Sequence, residues 1–439
     1  MTAPDQAWLD ELFEWLRIPS VSADSTHAAD VRAAGEWVCD YVRAAGGDCE
    51  LVDTGAQPLA VGEIRASNGA AGAPTVLIYG HFDVQPPAPL ELWESAPFEP
   101  EVRDGYVYAR GAVDDKGNSF LLLKAARLLA EEGALPVNVR IAFDGEEEVG
   151  GHSIADFLAA DRRGADAAIV FDSAMPREDT PAFDLGVRGM LYYHVRLRTG
   201  SGDLHSGVFG GAALNAVHAL MQTLDAVVSV PDELRAGVIP ATEEEHASWS
   251  VLAPGSDVLA GEGATAMDPT AAAEFYDRTF AGPAIDVNGI RGGEPDLQKT
   301  VLPVSAEANV SMRLAPGQDV EGIAPVFERL LREAAPEGAE LEIARWSSAP
   351  PALIPPDSKA VRLAQEAFER ALGSRPLLLR SGGTLPIIPA LADKGIPTIL
   401  SGFAIPGSNV HGPNERLLAR YVTVGVEAAR ETLVSFRDL

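Results

Sequence analysis

Cysteine is nearly absent: Cys39 and Cys49 are the two in 439 residues, and their spacing matches no metal or redox motif. A disulfide scaffold is thereby excluded, and the pair reads as buried thiols in a reducing cytoplasm. Positive charge is scarce as well. Lys and Arg total 34 against 64 for Asp and Glu, a net charge of -30. Such a field repels phosphate backbones and argues against nucleic acid as a partner. No run approaches the roughly 20 consecutive apolar residues of a membrane helix. The opening MTAPDQAWLDELFEWL lacks a basic region followed by an apolar core, so the chain is expected to be soluble, unexported and without a membrane partner. Internal repeats and low-complexity tracts are missing too, which excludes a solenoid.

What is present suits packed cores: 46% of the residues are hydrophobic and 22% charged, with mean hydropathy +0.04. At 439 residues the chain exceeds the roughly 250 to 300 at which one core stops growing, so two domains are expected. The runs TVLIYG, VNVRIAFD, ADAAIVFD and IPTILSG have the composition of buried strands. The segments AWLDELFEWL, VRAAGEWVCDYVRA, NSFLLLKAARLLAEEG, SKAVRLAQEAFERALG and LLARYVTVGVEAARETLVSF have helical spacing. Their alternation predicts an α/β layer fold.

From about Gly186 to Trp346 the pattern changes to strand MLYYHVRLR, helix AALNAVHALMQTL, a long irregular stretch, strand SAEANVSMRL, helix VEGIAPVFERLLREA and strand AELEIARW. That order predicts an α+β module inserted into the first domain. The expected division is 1–186 and 350–439 for the outer domain and 187–349 for the insert. Hinges are expected in the turn-rich flanks REDTPAFDLG and SSAPPALIPPD.

Acidic and histidine clusters follow the strand-like segments of the outer domain: His81 and Asp83, Asp114 and Asp115, Glu146 to Glu148, Asp172, and His411. In open α/β sheets ligands bind beyond the carboxyl ends of the strands, so these distant residues could converge there. Two histidines with three or four carboxylates suit a pair of zinc-like ions. Each alone has a bland alternative: a polar turn for His81 and Asp83, a helix N-cap for the Asp pair, a solvated acidic turn for the glutamates, a loop contact for His411. The remaining histidines read as structural, His194 on a strand, His218 on a helix, His152 in a turn, and His27 and His246 in polar loops.

The segments GHFDVQ, RGAVDDKG, FDGEEEVGG, FDS, GDLHSGVFGG and VHGPNE, in this order and spacing, resemble the M20 family of dinuclear metallohydrolases, in particular its dipeptidase branch that includes carnosinases. The resemblance implies a two-domain protein, an α/β/α catalytic domain with an inserted ferredoxin-like α+β lid that dimerises. It also implies two divalent ions per chain, zinc by preference, with manganese or cobalt also suited to mixed His and carboxylate ligation. His81 and Asp172 would hold one ion, Glu148 and His411 the other, and Asp114 would bridge them. Asp83 would orient His81 through its second ring nitrogen, and Asp115 would complete an Asp-Asp peptide that is often cis.

Glu147 would be the general base and acid. The register rests on EEVGG; a slip of one residue would make Glu146 the base and Glu147 the ligand. His205 would add a hydrogen bond to the oxyanion, reaching the partner subunit's site in a dimer. Arg313 would grip a substrate carboxylate, and Gly382, Gly383 and Thr384, in SGGTLP, would form the glycine-rich loop beside it, with Thr384 where the family usually has Ser. The implied activity is hydrolysis of dipeptides or small peptides with a free carboxylate. N-acyl amino acids are the alternative substrates of the same chemistry, and a non-catalytic binding protein the third possibility.

Overall fold

The computed structural model describes residues 4–67, 69, 72–383 and 385–439, and the chain divides into two compact units. The first comprises Met1–Leu185, Ile354–Leu379 and Pro386–Leu439. Its centre is a six-stranded sheet in the order Asp48–Val52, Leu59–Ile64, Asn138–Asp144, Thr75–His81, Ala167–Phe171 and Thr398–Ser401. The last four strands run parallel to one another, and the first two form an antiparallel edge. The parallel strands are the apolar runs of the sequence, as expected of strands covered on both faces: Val76, Ile78, Val139, Ile169 and Val170 are fully buried.

Local signals set the covering helices. In Gln6–Leu16 the side chain of Asp5 accepts the Trp8 N–H, and Leu9, Leu12, Trp15 and Leu16 form the buried stripe. Lys359–Leu372 is capped by Ser358, whose hydroxyl accepts the Val361 N–H, and closes on Gly373 at φ +72°. The antiparallel edge strands went unrecognised in the sequence because CELV and LAVGEI mix polar with apolar residues. Cys49 on the first of these strands and Cys39 on the helix Ala28–Ala44 are buried free thiols, with Cys49 Sγ 3.1 Å from Cys39 Sγ. Among the described residues no helix is long and apolar enough to cross a membrane.

The second unit comprises Gly186–Leu353 and Arg380–Leu385. Its antiparallel sheet has the order Ala284–Gly292, Ser305–Leu314, Gly189–Arg198 and Glu340–Ala349. Helices Ala216–Val228 and Val320–Ala334 cover one face. With the strands numbered by sequence this is βαββαβ in the spatial order 4-1-3-2, the ferredoxin-like arrangement expected. Alternation along the strands builds the core: Leu191, Tyr193, Val195, Val310, Met312, Leu220, Phe327 and Leu331 are buried together.

Four local expectations differ from the structure. The long irregular stretch holds helices Glu243–Trp249 and Gly255–Gly261 and the strand Ala284–Gly292; that strand is mostly exposed and bulged near Gly289, so its sequence carries no apolar pattern. His246 lies on the first of these helices, behind a Thr242–Glu245 capping box, and not in a loop. REDTPAFDLG runs into the buried strand Ala182–Val187, and the boundary between units falls inside that strand. Arg380–Leu385 groups with the second unit although 350–439 was expected to return to the first. The reason is electrostatic: Arg380 Nε pairs with Glu245 Oε1 at 2.5 Å with both side chains almost fully buried, and its other nitrogens bond the Ile239 and Pro240 carbonyls.

Candidate metal centre

The parallel strands end on the same edge of the first unit's sheet, and the chemistry gathers there. His81 is the last residue of its strand, Asp172 follows Phe171, and Glu146 to Glu148 follow the strand that ends at Asp144. Asp114 precedes the helix Lys116–Glu131, and His411 lies between the strands Thr398–Ser401 and Arg416–Leu418. His411 sits at φ +61°, a left-handed backbone that a β-carbon disfavours and that marks functional loops. Gly80 is required before His81, because a β-carbon there would meet Ser119 Oγ at 1.8 Å.

Two ligand groups form, His81 with Asp114 and Asp172, and Asp114 with Glu148 and His411, each with its donor atoms within 4.8 Å of one another. Asp114 belongs to both. Its Oδ1 is 3.1 Å from His81 Nε2 and its Oδ2 is 2.9 Å from His411 Nε2. Asp172 Oδ1 lies 4.0 Å from His81 Nε2, and Glu148 Oε2 lies 3.3 Å from His411 Nε2.

Neighbouring groups aim these side chains. His81 Nδ1 is 3.0 Å from the main-chain oxygen of Asp83 and 3.4 Å from its carboxylate. The Asp83 carboxylate is turned mainly to the glutamate turn, where it accepts the Glu147 N–H at 3.3 Å, the Glu148 N–H at 3.1 Å and the Ser22 hydroxyl at 2.6 Å. Glu146 is occupied elsewhere, accepting the Gln57 and Ser153 N–H groups at 3.2 and 3.0 Å. Among the described residues Glu146 belongs to neither ligand group. The Asp114–Asp115 peptide is cis, and Asp115 accepts the His81 N–H and the Ser119 hydroxyl.

The electrostatics call for cations. Burial, then the charge of Asp115, raises the Asp172 pKa well above the carboxylate range. Burial, reinforced by Glu148, Asp83 and Asp114 against the opposing pull of His81, pushes Glu147 up to about 7. Burial opposes charge on His81, yet Asp114 and Asp83 outweigh it and hold its pKa high; Asp114 and Glu148 raise His411 to about 10. Among the described residues, Glu148 Oε1 and Asp172 Oδ2 are buried without a hydrogen-bond donor. Acids crowded in this way, with acceptor atoms unsatisfied beside imidazole nitrogens, fit divalent ions bound by mixed oxygen and nitrogen ligands.

Two residues escaped the sequence reading. Glu415, fully buried, accepts Arg110 Nη1 at 2.7 Å and the N–H groups of Gly111, Val113 and Asp114 at 2.9, 2.8 and 3.0 Å. Arg110 Nη2 donates to the carbonyls of His411 and Gly412. The pair thus fixes the Asp114 loop against the His411 loop. Both lie inside motifs already singled out, RGAVDDKG and VHGPNE, and one unexplained opposite charge in each was the available signal.

The other expected residues belong to the second unit. His205 is exposed at the end of a short strand, its Nδ1 accepting the Gly207 N–H at 3.1 Å. Arg313 lies on Ser305–Leu314 opposite Met190. The carbonyls of Gly382 and Gly383 each lie 3.1 Å from nitrogens of Arg188, and Thr384 lies outside the described residues.

Known proteins resemble this chain in sequence and architecture. The chain is 28% identical over 413 residues to a cysteinylglycine-S-conjugate dipeptidase of Corynebacterium striatum, covering 92% of this chain and 90% of the relative. Among solved structures, an M20 family metallo-carboxypeptidase from Sulfolobus solfataricus superposes with a TM-score of 0.82 at 26% identity, over 98% of this chain and 99% of the other. Human carnosine dipeptidase 1 has the same fold, with a TM-score of 0.75 at 24% identity over 99% and 96%. Residues 77–435 match peptidase family M20/M25/M40, and the chain, a hydrolase, belongs to that family.

Proposed function

We propose that the protein is a dinuclear metallodipeptidase that hydrolyses the amide bond of dipeptides bearing a free C-terminal carboxylate. The observation that carries this reading is the division of Asp114, one oxygen toward His81 and the other toward His411. In this reading His81 and Asp172 would hold one divalent ion, Glu148 and His411 the other, with Asp114 common to both ligand groups. Zinc suits this donor set, and manganese or cobalt would also be accepted.

Bound ions would supply Lewis acidity and make water a nucleophile near neutral pH. The chain's own part is proton transfer and placement. Glu147, next in the chain to Glu148, takes a proton from the attacking water on its carboxylate and returns it to the leaving amine nitrogen. Its pKa near 7 before metal binding reflects burial among other acids, and the imidazoles and cations that favour its charged form prepare it as a base. Asp83 holds the main-chain N–H groups of Glu147 and Glu148 and so sets the base and ligand side by side. His205, whose Nδ1 accepts a main-chain N–H and whose Nε2 is left to donate, steadies the oxyanion, from the partner subunit in a homodimer. Arg313 and the Gly382–Gly383 loop take the substrate carboxylate, for which a planar guanidinium is suited. Free buried thiols at Cys39 and Cys49 suit the cytoplasm.

The test is metal content per chain by elemental analysis, paired with a panel of dipeptides and N-acyl amino acids before and after chelation. Two ions per chain and chelator-sensitive cleavage of dipeptides are expected. Faster cleavage of the N-acyl amino acids would transfer the reading to an amidohydrolase, and a folded chain that takes up no metal would refute it.

A further inference from the structure

Arg188 precedes the strand Gly189–Arg198 and was not among the residues that the sequence pointed to. Its side-chain Nε donates to the Gly382 carbonyl at 3.1 Å, and its main-chain N–H donates to the Gly383 carbonyl at 3.1 Å. A β-carbon on Gly382 would lie 3.3 Å from Arg188 Nη2 and 3.2 Å from the Thr279 carbonyl, so the guanidinium rests directly against this glycine. Strand register brings further charges to the same place. Arg313 is opposite Met190, two residues beyond Arg188, and Asp286 is opposite Ser311, two residues before Arg313. With side chains alternating between faces, all three point away from the helices. Burial, then the charge of Arg313, pushes the Arg188 pKa down to about 10, with Asp286 opposing.

We propose that Arg188 is a positioning residue for recognition of the substrate's C-terminal carboxylate, holding the Gly382–Gly383 loop beside Arg313 so that loop N–H groups and the Arg313 guanidinium converge on one anion. This rests on the dipeptidase reading above. The peptide plane gives the reason: a Gly382 carbonyl drawn to Arg188 turns the Gly383 N–H the other way, where it meets Ser381 Oγ at 3.1 Å. A carboxylate makes a stronger, charge-assisted bond to such an N–H than a hydroxyl does. Arg188 and Arg313 bring two guanidiniums to one face of the sheet in a chain of net charge -30, which suits an anionic ligand group.

The experiment compares cysteinylglycine with its C-terminal amide, in the metal-loaded wild-type chain and in Arg188→Met, Arg188→Lys and Gly382→Ala. For the free acid, Arg188→Met is expected to raise KM about 10- to 100-fold with kcat changed less than about threefold, the loss of charge-assisted hydrogen bonding. The amide should be hardly affected, and Arg188→Lys, which keeps the charge without the Nε fork, should fall between. Gly382→Ala leaves Arg188 in place but crowds it, and should shift KM in the same direction. Equal losses on acid and amide, or an unchanged KM in Arg188→Met with a wild-type melting profile, would overturn the proposal. If the wild type cleaves neither substrate, the dipeptidase reading fails on its own. Calorimetry of N-acetylglycine binding to the metal-free chain then decides: binding that Arg188→Met weakens sustains the role of Arg188, and no binding to the wild type ends it.

Discussion

Arg110 Nη1 and Glu415 Oε2 lie 2.7 Å apart with side chains 1% and 0% exposed, and this pair joins the loop that carries Asp114 to the loop that carries His411. Four donors converge on the Glu415 carboxylate. Removing its charge would leave a buried guanidinium uncompensated and would turn amide protons toward main-chain N–H groups. Glu415→Gln is therefore expected to destabilise the chain by about 3 to 5 kcal/mol and to lower metal retention on dialysis. Chemical denaturation and elemental analysis of the same preparation check both effects. Unchanged stability would mean that the pair does not hold the loops.

The glutamate turn gives a sharper contrast. On the proposed reading, in which Glu147 is the proton carrier and Glu148 the ligand, Glu147→Gln should reduce turnover by orders of magnitude while bound metal stays near the wild-type level. Glu148→Gln should lose metal, since Glu148 Oε2 faces His411 Nε2 at 3.3 Å. Metal loss in Glu147→Gln with retention in Glu148→Gln would reverse the register.

Without metal, stability should fall as pH rises. Burial pushes Asp144 and Glu147 up to about 7 and Asp184 to about 6, from ordinary values of 3.8 to 4.5. The folded chain therefore keeps protons between about pH 4 and 7 that the unfolded chain releases, and folding weakens across that window. His411, raised to about 10 by Asp114 and Glu148, extends the fall: its contribution is complete below 6.5 and is lost as pH rises through 10. The melting temperature of the metal-free chain should decline from pH 5 to 8, and added divalent ion should raise it more at pH 7.5 than at 5.5. A melting temperature that climbs between pH 5 and 7 would contradict this account.

In the second unit, Arg380→Met would strand the nearly buried Glu245 carboxylate and free the Ile239 and Pro240 carbonyls. A cost of roughly 3 to 5 kcal/mol is expected, together with faster limited proteolysis near residues 236–245. Wild-type proteolysis would show that the pair does not anchor Arg380–Leu385.

The elements that carry the site were legible because their residues obey a local rule. TVLIYGH must be buried wherever it lies, and SAEANVSMRL and VEGIAPVFERLLREA show periods of two and of three to four along the chain; the structure places strands and a helix at Thr75–His81, Ser305–Leu314 and Val320–Ala334. Ala284–Gly292 was not legible, because an exposed strand with a glycine bulge has no apolar face to display. Ala182–Val187 was hidden by the turn-forming residues around it.

The sequence by itself determined which side chains could do chemistry and, through the order of its motifs, the family to which they belong. Only the tertiary structure decided how those side chains are held. That Glu146 bonds two main-chain N–H groups away from the ligand groups, that Asp83 serves the glutamate turn more than the His81 ring, and that Arg110 meets Glu415 across 305 residues of chain are facts of packing. A charge that is ordinary in water becomes a constraint when burial removes the solvent that would satisfy it, and no local pattern of residues records where that will happen.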